Sequence, residues 1–348
     1  MRPLLHPCLV NGRFGDAAVY VETLFEKHAM LFDLGDINAL PSRKILHVEH
    51  VFVSHAHLDH FFGFDRLLRI LVGREKTVRL YGPPGFIERV HHKLQAYQWN
   101  LVDRYACDLI FLVTEIDPSH DLHTACLRLK NAFACEDLGH GHAAGAFIYS
   151  GPAFHVSAAL LEHRIPSLAY AIEEATHVNV WKNRLAAMGL SIGPWLRTLK
   201  RAIIEARPDD HRIRVARVRA GAEIEMPLGA LREVVTVTPG QKIAYVTDCA
   251  DTIANREAIG RLARDADILF IEATFAAADA ALAHERAHLT TIAAGQIARQ
   301  ARVRRVEPFH FSTRYEGLEE QLIAEVRAGY AGKGLAGRDA LANGAPAR

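Results

Sequence analysis

The chain has 348 residues, of which 50% are hydrophobic and 23% are charged, and its formal net charge at pH 7 is +1. Half of the residues can contribute to a buried core, which excludes a largely disordered chain, while the near-neutral charge neither requires nor excludes a nucleic-acid partner. The five cysteines include no CxxC pair, so we expect no thiolate zinc site and no disulfide framework, in keeping with a cytoplasmic protein. The sequence also contains no apolar run of the roughly 18 residues that a membrane span requires.

Short apolar runs alternate with helical patterns along most of the chain, and this alternation is typical of an α/β fold. The runs predicted to be strands are Ala17–Glu22, Ala29–Asp33, Val48–Ser54, Val78–Tyr81, Lys242–Thr247, Ile268–Glu272 and Val303–Phe309. Apolar residues at i, i+3, i+4 and i+7 predict one amphipathic helix over Asp59–Val72, and similar spacing predicts a later helix around Leu289–Ile297.

The stretch Phe52–Gly63, FVSHAHLDHFFG, places three histidines and one aspartate within six positions at a strand-to-helix junction. His55 and His57 lie two residues apart in a turn, so both rings can point at one ion. Asp59 and His60 are adjacent in the first helical turn, about 100° apart around the axis, so they can face a second ion. Imidazole and carboxylate are ligands that zinc prefers, with manganese and iron as alternatives. The sequence therefore predicts a site for two neighbouring metal ions. The alternative is a set of surface histidines that bind no metal.

Three further residues could complete such a dinuclear site. Asp248 and His310 each close a strand-like run, and His163 follows another such run. Each also has an ordinary explanation, since Asp248 could cap a helix and His163 could be an exposed histidine. The motif GHGH at Gly139–His142 mimics a metal site as well, but no strand-end carboxylate accompanies it, so we interpret it as a flexible loop.

Residues 171–239 carry an unusual charge distribution. From Arg197 to Arg219 there are eight Lys or Arg residues and three acidic residues, a net charge of +5 in an almost neutral chain. We interpret residues 171–239 as an inserted basic arm, without a second core, within a single domain over residues 1–330. Most charge runs are solvated helix faces, but the Gly-Pro element beside this one favours contact with a phosphate backbone. The tail at 331–348 has no usable periodicity and is predicted to be disordered.

These features together resemble a known family. A HxHxDH motif followed by a lone histidine, a strand-end aspartate and a late histidine is the order of the metallo-β-lactamase superfamily. Stretches between about Leu31 and Tyr315 are similar to its ribonuclease Z branch, the tRNA 3′-processing endonucleases, and they are HLDHFFGFDRLL, LYGPPGF, LEHRIPSLAY, IGPWLRTLK, ADILFIEATF, ERAHLTT and FHFSTRY. The resemblance implies an α/β fold with four layers, an αβ/βα sandwich in which two mixed sheets pack face to face with helices outside. The chain departs from the branch at Ala169 and Ala171, where Gly and Arg are usual, and in its opening loop, LFDLGD.

The resemblance also implies residue roles. One zinc ion would be held by His55, His57 and His163, and the other by Asp59, His60 and His310, with Asp248 as the bridge. His288 matches the proton-handling histidine of the family and Glu272 the acid that orients it, while Asp59 is counted among the catalytic residues as well as the ligands. The residues implied to contact substrate are Arg197, Lys200 and Arg201 in the arm. Arg314 and Tyr315 are further candidates because they lie close to His310 in the sequence, and pairing within the fold explains them equally well.

The implied activity is hydrolysis of a phosphodiester by a hydroxide shared between two zinc ions, which removes the 3′ trailer from a tRNA precursor. The implied assembly is a homodimer in which the arm of one subunit serves the site of the other. Two alternatives stay open. The chain could be another hydrolase of this fold that acts on a small phosphodiester, a cyclic nucleotide, a thioester or a lactone, or it could be a non-catalytic RNA-binding relative.

Overall fold

Two β-sheets organise most of the chain in the computed structural model, which describes residues 4–24, 28–119, 121–143, 146–217 and 223–332. The described residues divide into two compact units. The larger unit comprises residues up to Glu173 and from Gln241 onwards, and the smaller unit is Glu174–Gly240. None of the helices in the described part of the chain combines the length and the apolar character that crossing a membrane would require.

The elements are numbered in chain order. The strands are β1 (Leu5–Leu9), β2 (Val19–Thr23), β3 (Ala29–Phe32), β4 (Val48–Phe52), β5 (Lys76–Gly82), β6 (Leu109–Ile116), β7 (Asp121–Arg128), β8 (Cys135–His142), β9 (Phe147–Ser150), β10 (Phe154–His163), β11 (Ile165–Glu174), β12 (His177–Val180), β13 (Arg212–Ala216), β14 (Glu223–Pro227), β15 (Val235–Thr238), β16 (Lys242–Val246), β17 (Ile268–Glu272) and β18 (Arg305–Phe309). The α-helices are α1 (Ser42–Ile45), α2 (Leu58–Phe61), α3 (Phe64–Leu71), α4 (Phe86–Gln95), α5 (Lys182–Ala187), α6 (Trp195–Ile204), α7 (Leu228–Leu231), α8 (Ile253–Leu262), α9 (Ala280–Arg286), α10 (Thr291–Gln300) and α11 (Glu319–Ala331).

Both large sheets are mixed. In the first sheet, strands β1 to β8 follow one another in sequence order, with β3 to β6 parallel and the flanking strands antiparallel. The second sheet has the order β18-β17-β16-β11-β10-β9, and its strands β16, β17 and β18 are parallel. Each sheet therefore has one edge at which the carboxyl ends of several parallel strands lie together, and such edges are where α/β proteins bind ligands.

The two sheets pack face to face through aromatic side chains. The ring centroid of Phe32 lies 6.1 Å from that of Tyr170 and 5.7 Å from that of Tyr245, and Phe52 lies 5.4 Å from Tyr170. A second core lies between the first sheet and helices α1 to α4, and a third between the second sheet and helices α8 to α11. These helix–sheet–sheet–helix layers confirm the predicted four-layer α/β sandwich.

Every strand predicted from the sequence is present, with ends that agree within two residues, but the single helix predicted over Asp59–Val72 is wrong. The structure has two helices there, α2 and α3, which are separated at Gly63. The backbone N–H of Gly63 donates to the carbonyl of Leu34 at 2.7 Å, and a Cβ at this position would lie 2.2 Å from the carbonyl oxygen of Gly35. The helix breaks because the backbone packs closely against the loop that follows β3, a contact that periodicity cannot reveal.

The flexible loop predicted at Gly139–His142 is also wrong, because this motif lies in strand β8 and pairs with β7. The ring of His140 stacks on that of His123 in β7, with centroids 4.3 Å apart. Nearly all of β8 is exposed, so its sequence lacks the apolar alternation by which a half-buried strand is recognised.

The smaller unit has a hydrophobic core of its own, so the expectation that residues 171–239 lack a second core is wrong. It pairs β12 with β15 and β13 with β14, and Trp195 and Leu199 of α6 lie in its core together with Ile213 of β13. The basic residues of β13 alternate with buried apolar ones, so the strand can be basic on one face and still pack on the other. The interpretation of the segment as an arm inserted in a single domain stays a prediction. Arg219 and the tail residues 333–348 lie outside the described residues.

His50 is a buried histidine in the core between the sheets. Its side chain is 5% exposed, its ring lies 4.4 Å from that of Tyr149, and its Nδ1 has no hydrogen-bond partner in the described part of the chain. Burial, with a smaller contribution from Arg79, lowers the pKa of His50 to about 4. The folded protein therefore favours the neutral ring.

This histidine predicts a pH-dependent stability. The unfolded chain binds the proton near pH 6.5 and the folded chain only near pH 4, so the free energy of unfolding falls as the pH drops through this window. Between pH 7 and pH 5 the loss from this one group should be about 2 kcal/mol. We expect His50→Phe, which keeps an aromatic ring, to remove that part of the pH dependence in urea unfolding of the metal-free protein. Identical pH dependence in the wild type and the variant would contradict this prediction.

Candidate metal centre

Residues at the carboxyl ends of strands from both sheets converge on one site. In the first sheet β3 is followed by Asp33 and β4 by Ser54 and His55, while in the second sheet β16 is followed shortly by Asp248 and β18 by His310. The φ angles of Asp33, Asp248 and His310 are 58°, 20° and 59°. Residues other than glycine adopt such conformations at an energetic cost, and they are concentrated at functional sites.

Four of the predicted ligands form one group. His55, His57, His163 and Asp248 each offer a ligand atom, and these atoms lie within 4.8 Å of one another. The Nε2 atoms of His163 and His55 lie 3.5 and 3.7 Å from Oδ2 of Asp248. Nδ1 of His163 donates to the backbone carbonyl of Ala287 at 2.8 Å. That bond selects the tautomer in which Nε2 has a free lone pair for a cation.

Asp59, His60 and His310 form a second group, again with ligand atoms within 4.8 Å of one another. Oδ2 of Asp59 lies 3.3 Å from Nε2 of His310 and 3.4 Å from Nε2 of His60. The carboxylate of Asp248 reaches this group as well, since its Oδ2 lies 3.3 Å from Nε2 of His60 and its Oδ1 lies 3.4 Å from Nδ1 of His310. Asp248 therefore contacts both groups, an arrangement that suits a bridging carboxylate.

The unsatisfied polar atoms of this cluster fit divalent cations. Nε2 of His60 is buried and lies near the carboxylates of Asp248 and Asp59, but it forms no well-aligned hydrogen bond among the described residues, which is costly unless a ligand approaches it. Burial would raise the pKa of Asp248, but His310 and His60 hold it well below the ordinary value of a carboxyl group. Burial lowers the pKa of His55 to about 2. Asp248 thus presents an ionised carboxylate and His55 a neutral imidazole, which are the forms that bind metal. Burial would lower the pKa of His60 and that of His310, but the carboxylate of Asp248 raises both, so binding of a cation there would displace protons.

Asp33 is a buried carboxylate that the sequence analysis did not assign to the site. Its Oδ2 accepts hydrogen bonds from Nδ1 of His60 at 2.8 Å and from the hydroxyl of Ser54 at 2.8 Å. A carboxylate on Nδ1 selects the tautomer of His60 that leaves Nε2 for a cation. The feature of the sequence that could have identified Asp33 is its position at the end of a predicted strand, which is also the feature by which Asp248 was selected.

His288 and Glu272 form a paired histidine and carboxylate beside the candidate ligands. Oε2 of Glu272 lies 3.1 Å from Nδ1 of His288 and accepts a hydrogen bond from the hydroxyl of Thr274 at 2.6 Å, while Oε1 accepts from the backbone N–H of Cys249 at 2.7 Å. Burial would lower the pKa of His288, but the carboxylate of Glu272 raises it to about 9. The pair therefore holds a proton on His288 at neutral pH. The sequence reasoning missed Thr274, which fixes one oxygen of Glu272.

Five of the seven candidate ligands open onto a cavity of about 630 Å³. Its lining also includes His288, some apolar side chains and three arginines, namely Arg164, Arg286 and Arg314. The guanidinium of Arg314 lies 5.7 Å from the ring centroid of Phe275. Only Arg314 among the three was predicted from the sequence. Positive side chains around a cation-binding cluster favour an anionic substrate.

The other predicted substrate contacts lie in different surroundings. Tyr315 is 8% exposed and its hydroxyl donates to Asp279, so its position favours a role within the fold rather than contact with substrate. Arg197, Lys200 and Arg201 are exposed on α6 in the smaller unit, and none of them forms an ion pair with another residue of the described ranges. These three cations are therefore free to bind an anionic partner.

Known proteins are similar to this chain in sequence and in fold. A family model described as "Beta-lactamase superfamily domain" matches residues 195–311. A relative named Ribonuclease Z from Deinococcus radiodurans is 31% identical over 290 residues, which cover 82% of this chain and 83% of the relative. A second relative named Ribonuclease Z, from Synechocystis sp., is 32% identical over 313 residues, which cover 88% of this chain and 80% of the relative.

Solved structures extend the likeness to the fold. The short form of human tRNase Z aligns with a TM-score of 0.53 and 19% identity over 90% of this chain and 92% of its own. The metallo-β-lactamase-fold protein YhfI from Bacillus subtilis aligns with a TM-score of 0.52 and 14% identity over 92% of this chain and 90% of its own. At such identities the structures establish the fold alone, whereas the two sequence relatives establish the family. The chain belongs to the ribonuclease Z family of metallo-β-lactamase-fold hydrolases.

Proposed function

We propose that this chain is a metal-dependent endoribonuclease that removes 3′ trailers from tRNA precursors by hydrolysing a phosphodiester bond. The observation that carries this proposal is the cavity onto which metal-ligand residues, His288 and three arginines all open. The names of the relatives, Ribonuclease Z and tRNase Z, support RNA as the substrate class.

Two divalent cations suit the ligand set, with zinc as the first choice and manganese or iron as alternatives. One cation would be held by His55, His57 and His163, the other by Asp59, His60 and His310, and Asp248 would contact both. When bound, such cations supply Lewis acidity, which lowers the pKa of water towards neutrality and offsets negative charge at the phosphate.

His288 is the proton donor in this proposal. Because Glu272 engages Nδ1, the proton available for transfer is the one on Nε2, and the residue lines the cavity. Transfer of this proton to the leaving 3′ oxygen leaves a 3′-hydroxyl on the tRNA. Glu272 orients the ring and stabilises its protonated form, while Thr274 fixes Glu272.

The arginines favour a phosphodiester over a neutral ester. Arg164, Arg286 and Arg314 line the same cavity as the metal ligands, and guanidinium groups bind phosphate oxygens through charge-assisted hydrogen bonds. A thioester or a lactone presents no anionic oxygen to them. A small phosphodiester or cyclic nucleotide is the second candidate substrate, because it carries the same charge and needs no contact outside the cavity.

The cations of α6 extend recognition to folded RNA. Arg197, Lys200 and Arg201 follow i, i+3, i+4 spacing, so they share one face of the helix. Contacts of this kind with the phosphate backbone release counterions, and the affinity then falls steeply with salt.

We also propose a cytoplasmic homodimer, for which the family resemblance is the support. A monomeric mass at protein concentrations that give full activity would contradict the dimer.

The substrate class can be tested with the metal-loaded protein. We expect cleavage of a 3′-extended pre-tRNA directly after the discriminator nucleotide, alongside weaker hydrolysis of bis(p-nitrophenyl) phosphate and none of lactones. Turnover confined to small phosphodiesters would select the second candidate. Cation binding without hydrolysis of any substrate would instead favour a non-catalytic RNA-binding protein.

Charge reversal on the arm gives a sharper prediction. We expect Arg197→Glu, Lys200→Glu and Arg201→Glu together to lower the logarithmic salt slope of pre-tRNA binding by roughly three, one unit for each lost phosphate contact. Hydrolysis of bis(p-nitrophenyl) phosphate should stay unchanged, because this substrate is too small to need the arm.

A matched control reverses three arginines of the larger unit, Arg74, Arg89 and Arg264, which are exposed and form no ion pair within the described ranges, and it changes the net charge by the same amount. Equal weakening of pre-tRNA binding by both triple variants would show an effect of net charge alone and would exclude a specific arm contact. Loss of activity on both substrates in the arm variant would point to a folding defect.

A further inference from the structure

A buried carboxylate joins the two sheets behind the candidate metal centre. Asp33 follows β3 in the first sheet and is fully buried. Its Oδ1 accepts a hydrogen bond from the backbone N–H of Ser54 at 2.6 Å. Its Oδ2 accepts from the Ser54 hydroxyl at 2.8 Å, from Nδ1 of His60 at 2.8 Å and from the hydroxyl of Tyr245 at 2.7 Å. The last of these donors comes from the opposite sheet.

Tyr245 is placed to act on two ligands at once. It lies in β16 of the second sheet, three residues before Asp248, and its side chain is 1% exposed. Through its backbone it belongs to the strand that delivers Asp248, and through its hydroxyl it reaches the carboxylate that holds His60. Burial, reinforced by Asp33, raises the pKa of Tyr245 well above its ordinary value, which keeps the hydroxyl a hydrogen-bond donor at neutral pH.

We propose that Tyr245 is a positioning residue for the cation at Asp59, His60 and His310, and that it acts by holding Asp33 against Nδ1 of His60. This inference rests on the proposed dinuclear site and adds to it a residue from outside the ligand set. Among the four hydrogen bonds to the carboxylate of Asp33 in the described part of the chain, the one from Tyr245 alone comes from the second sheet, whereas the other donors belong to the segment after β4. Loss of the Tyr245 hydroxyl removes this support from Oδ2, so the carboxylate can shift relative to Nδ1 of His60 and weaken the contact that fixes the tautomer and ring orientation of that histidine.

Tyr170 provides an internal control for the same chemical change. It is a fully buried tyrosine of the second sheet, and its hydroxyl donates to the backbone carbonyl of Val53 at 2.7 Å. Both tyrosine rings pack against Phe32, with centroid distances of 6.1 Å for Tyr170 and 5.7 Å for Tyr245. The two residues thus share core location and a hydrogen bond to the first sheet, but only Tyr245 contacts the carboxylate behind His60.

The test compares the wild type, Tyr245→Phe and Tyr170→Phe as full-length, metal-free proteins. Each is titrated with Co²⁺ in competition with a chelator, and the visible d–d absorption of the bound ion is recorded. We expect Tyr245→Phe to bind one of its two cations ~10-fold or more weakly, the usual range for losing a partner of a metal-binding histidine. The absorption band assigned to that cation should change in shape as well. Tyr170→Phe should keep both dissociation constants and both bands.

Several outcomes would overturn the inference. They are unchanged Co²⁺ affinity and spectrum in Tyr245→Phe, equal weakening in both variants, and binding of fewer than two cations by the wild type. Thermal unfolding of each metal-free variant shows whether it is folded. If Tyr245→Phe is not folded, the test uses Tyr245→His, which keeps a hydrogen-bond donor on its ring. Failure of Tyr245→His to recover the wild-type spectrum would then overturn the inference. If the wild type binds two cations but does not cleave pre-tRNA, the proposed substrate fails while the role of Tyr245 stands.

Discussion

Asp248→Asn is expected to reduce hydrolysis of both pre-tRNA and bis(p-nitrophenyl) phosphate by on the order of 10³-fold or more, because the proposed contact of its carboxylate with both cations would supply several kcal/mol. Asp248 is the carboxylate that both ligand groups share. Its Oδ2 lies 3.3 Å from Nε2 of His60 and 3.5 Å from Nε2 of His163, one residue from each group. Asparagine keeps the shape of this side chain but removes its charge and turns one ligand oxygen into an N–H donor.

The metal content of the purified variant distinguishes loss of the site from loss of catalysis. We expect Asp248→Asn to retain fewer cations than the wild type after dialysis, as measured by atomic absorption. Asp251→Asn is a suitable control, since Asp251 lies three residues later and pairs with Arg256 at 2.5 Å. It should keep full metal content and turnover. An Asp248→Asn protein that holds two cations and stays within tenfold of wild-type turnover would refute the bridging role.

His288→Ala is expected to lower turnover by ~10²–10⁴-fold, the usual contribution of a general acid, while the metal content stays at the wild-type level. The reason is that, among the described residues that line the cavity, only His288 is paired with Glu272, so no other side chain there can donate a proton in the same way. His284→Ala, on the exposed face of α9, should behave as the wild type. Full turnover of His288→Ala with unchanged metal content would exclude this residue as the proton donor.

Glu272→Gln should reveal the same proton through the pH profile. The carboxylate of Glu272 raises the pKa of His288 to about 9 against the effect of burial. A general acid is active while it is protonated, so the alkaline limb of the rate profile follows the pKa of His288. Removal of the negative charge lowers that pKa, and the limb should move to lower pH. A limb that stays in place would assign it to another group.

The α/β class and the four-layer fold follow from local patterns. Each of the seven predicted strands is a short apolar run, and in all of them except β18 more than half of the residues are buried. A strand that is buried on both faces needs such a run, so local composition is enough to locate it. The same reasoning failed for β8, whose exposed residues carry no burial pattern. It also failed at Gly63, where contact with the backbone of Gly35 breaks a helix that its own periodicity would continue.

The candidate ligands could be selected from the sequence for a related reason. His55, His57, Asp59 and His60 lie within six residues, so their convergence depends on one turn and one helix start. The remaining candidate ligands, His163, Asp248 and His310, were selected by their place at strand ends and by the family order. The structure brings all of these residues together.

What the sequence by itself determined is therefore the fold class, the metal-binding motif and the family resemblance, because each depends on residues close together in the chain or on a fixed order of motifs. Only the tertiary structure decided which groups surround the ligands. Asp33 and Tyr245 are 212 residues apart, yet their hydrogen bond links the two sheets behind His60. Arg164 and Arg286 likewise share a cavity with Asp248 for no reason visible in local spacing. Such contacts are set by the packing of one sheet against the other, and packing depends on the whole core rather than on any segment of the sequence.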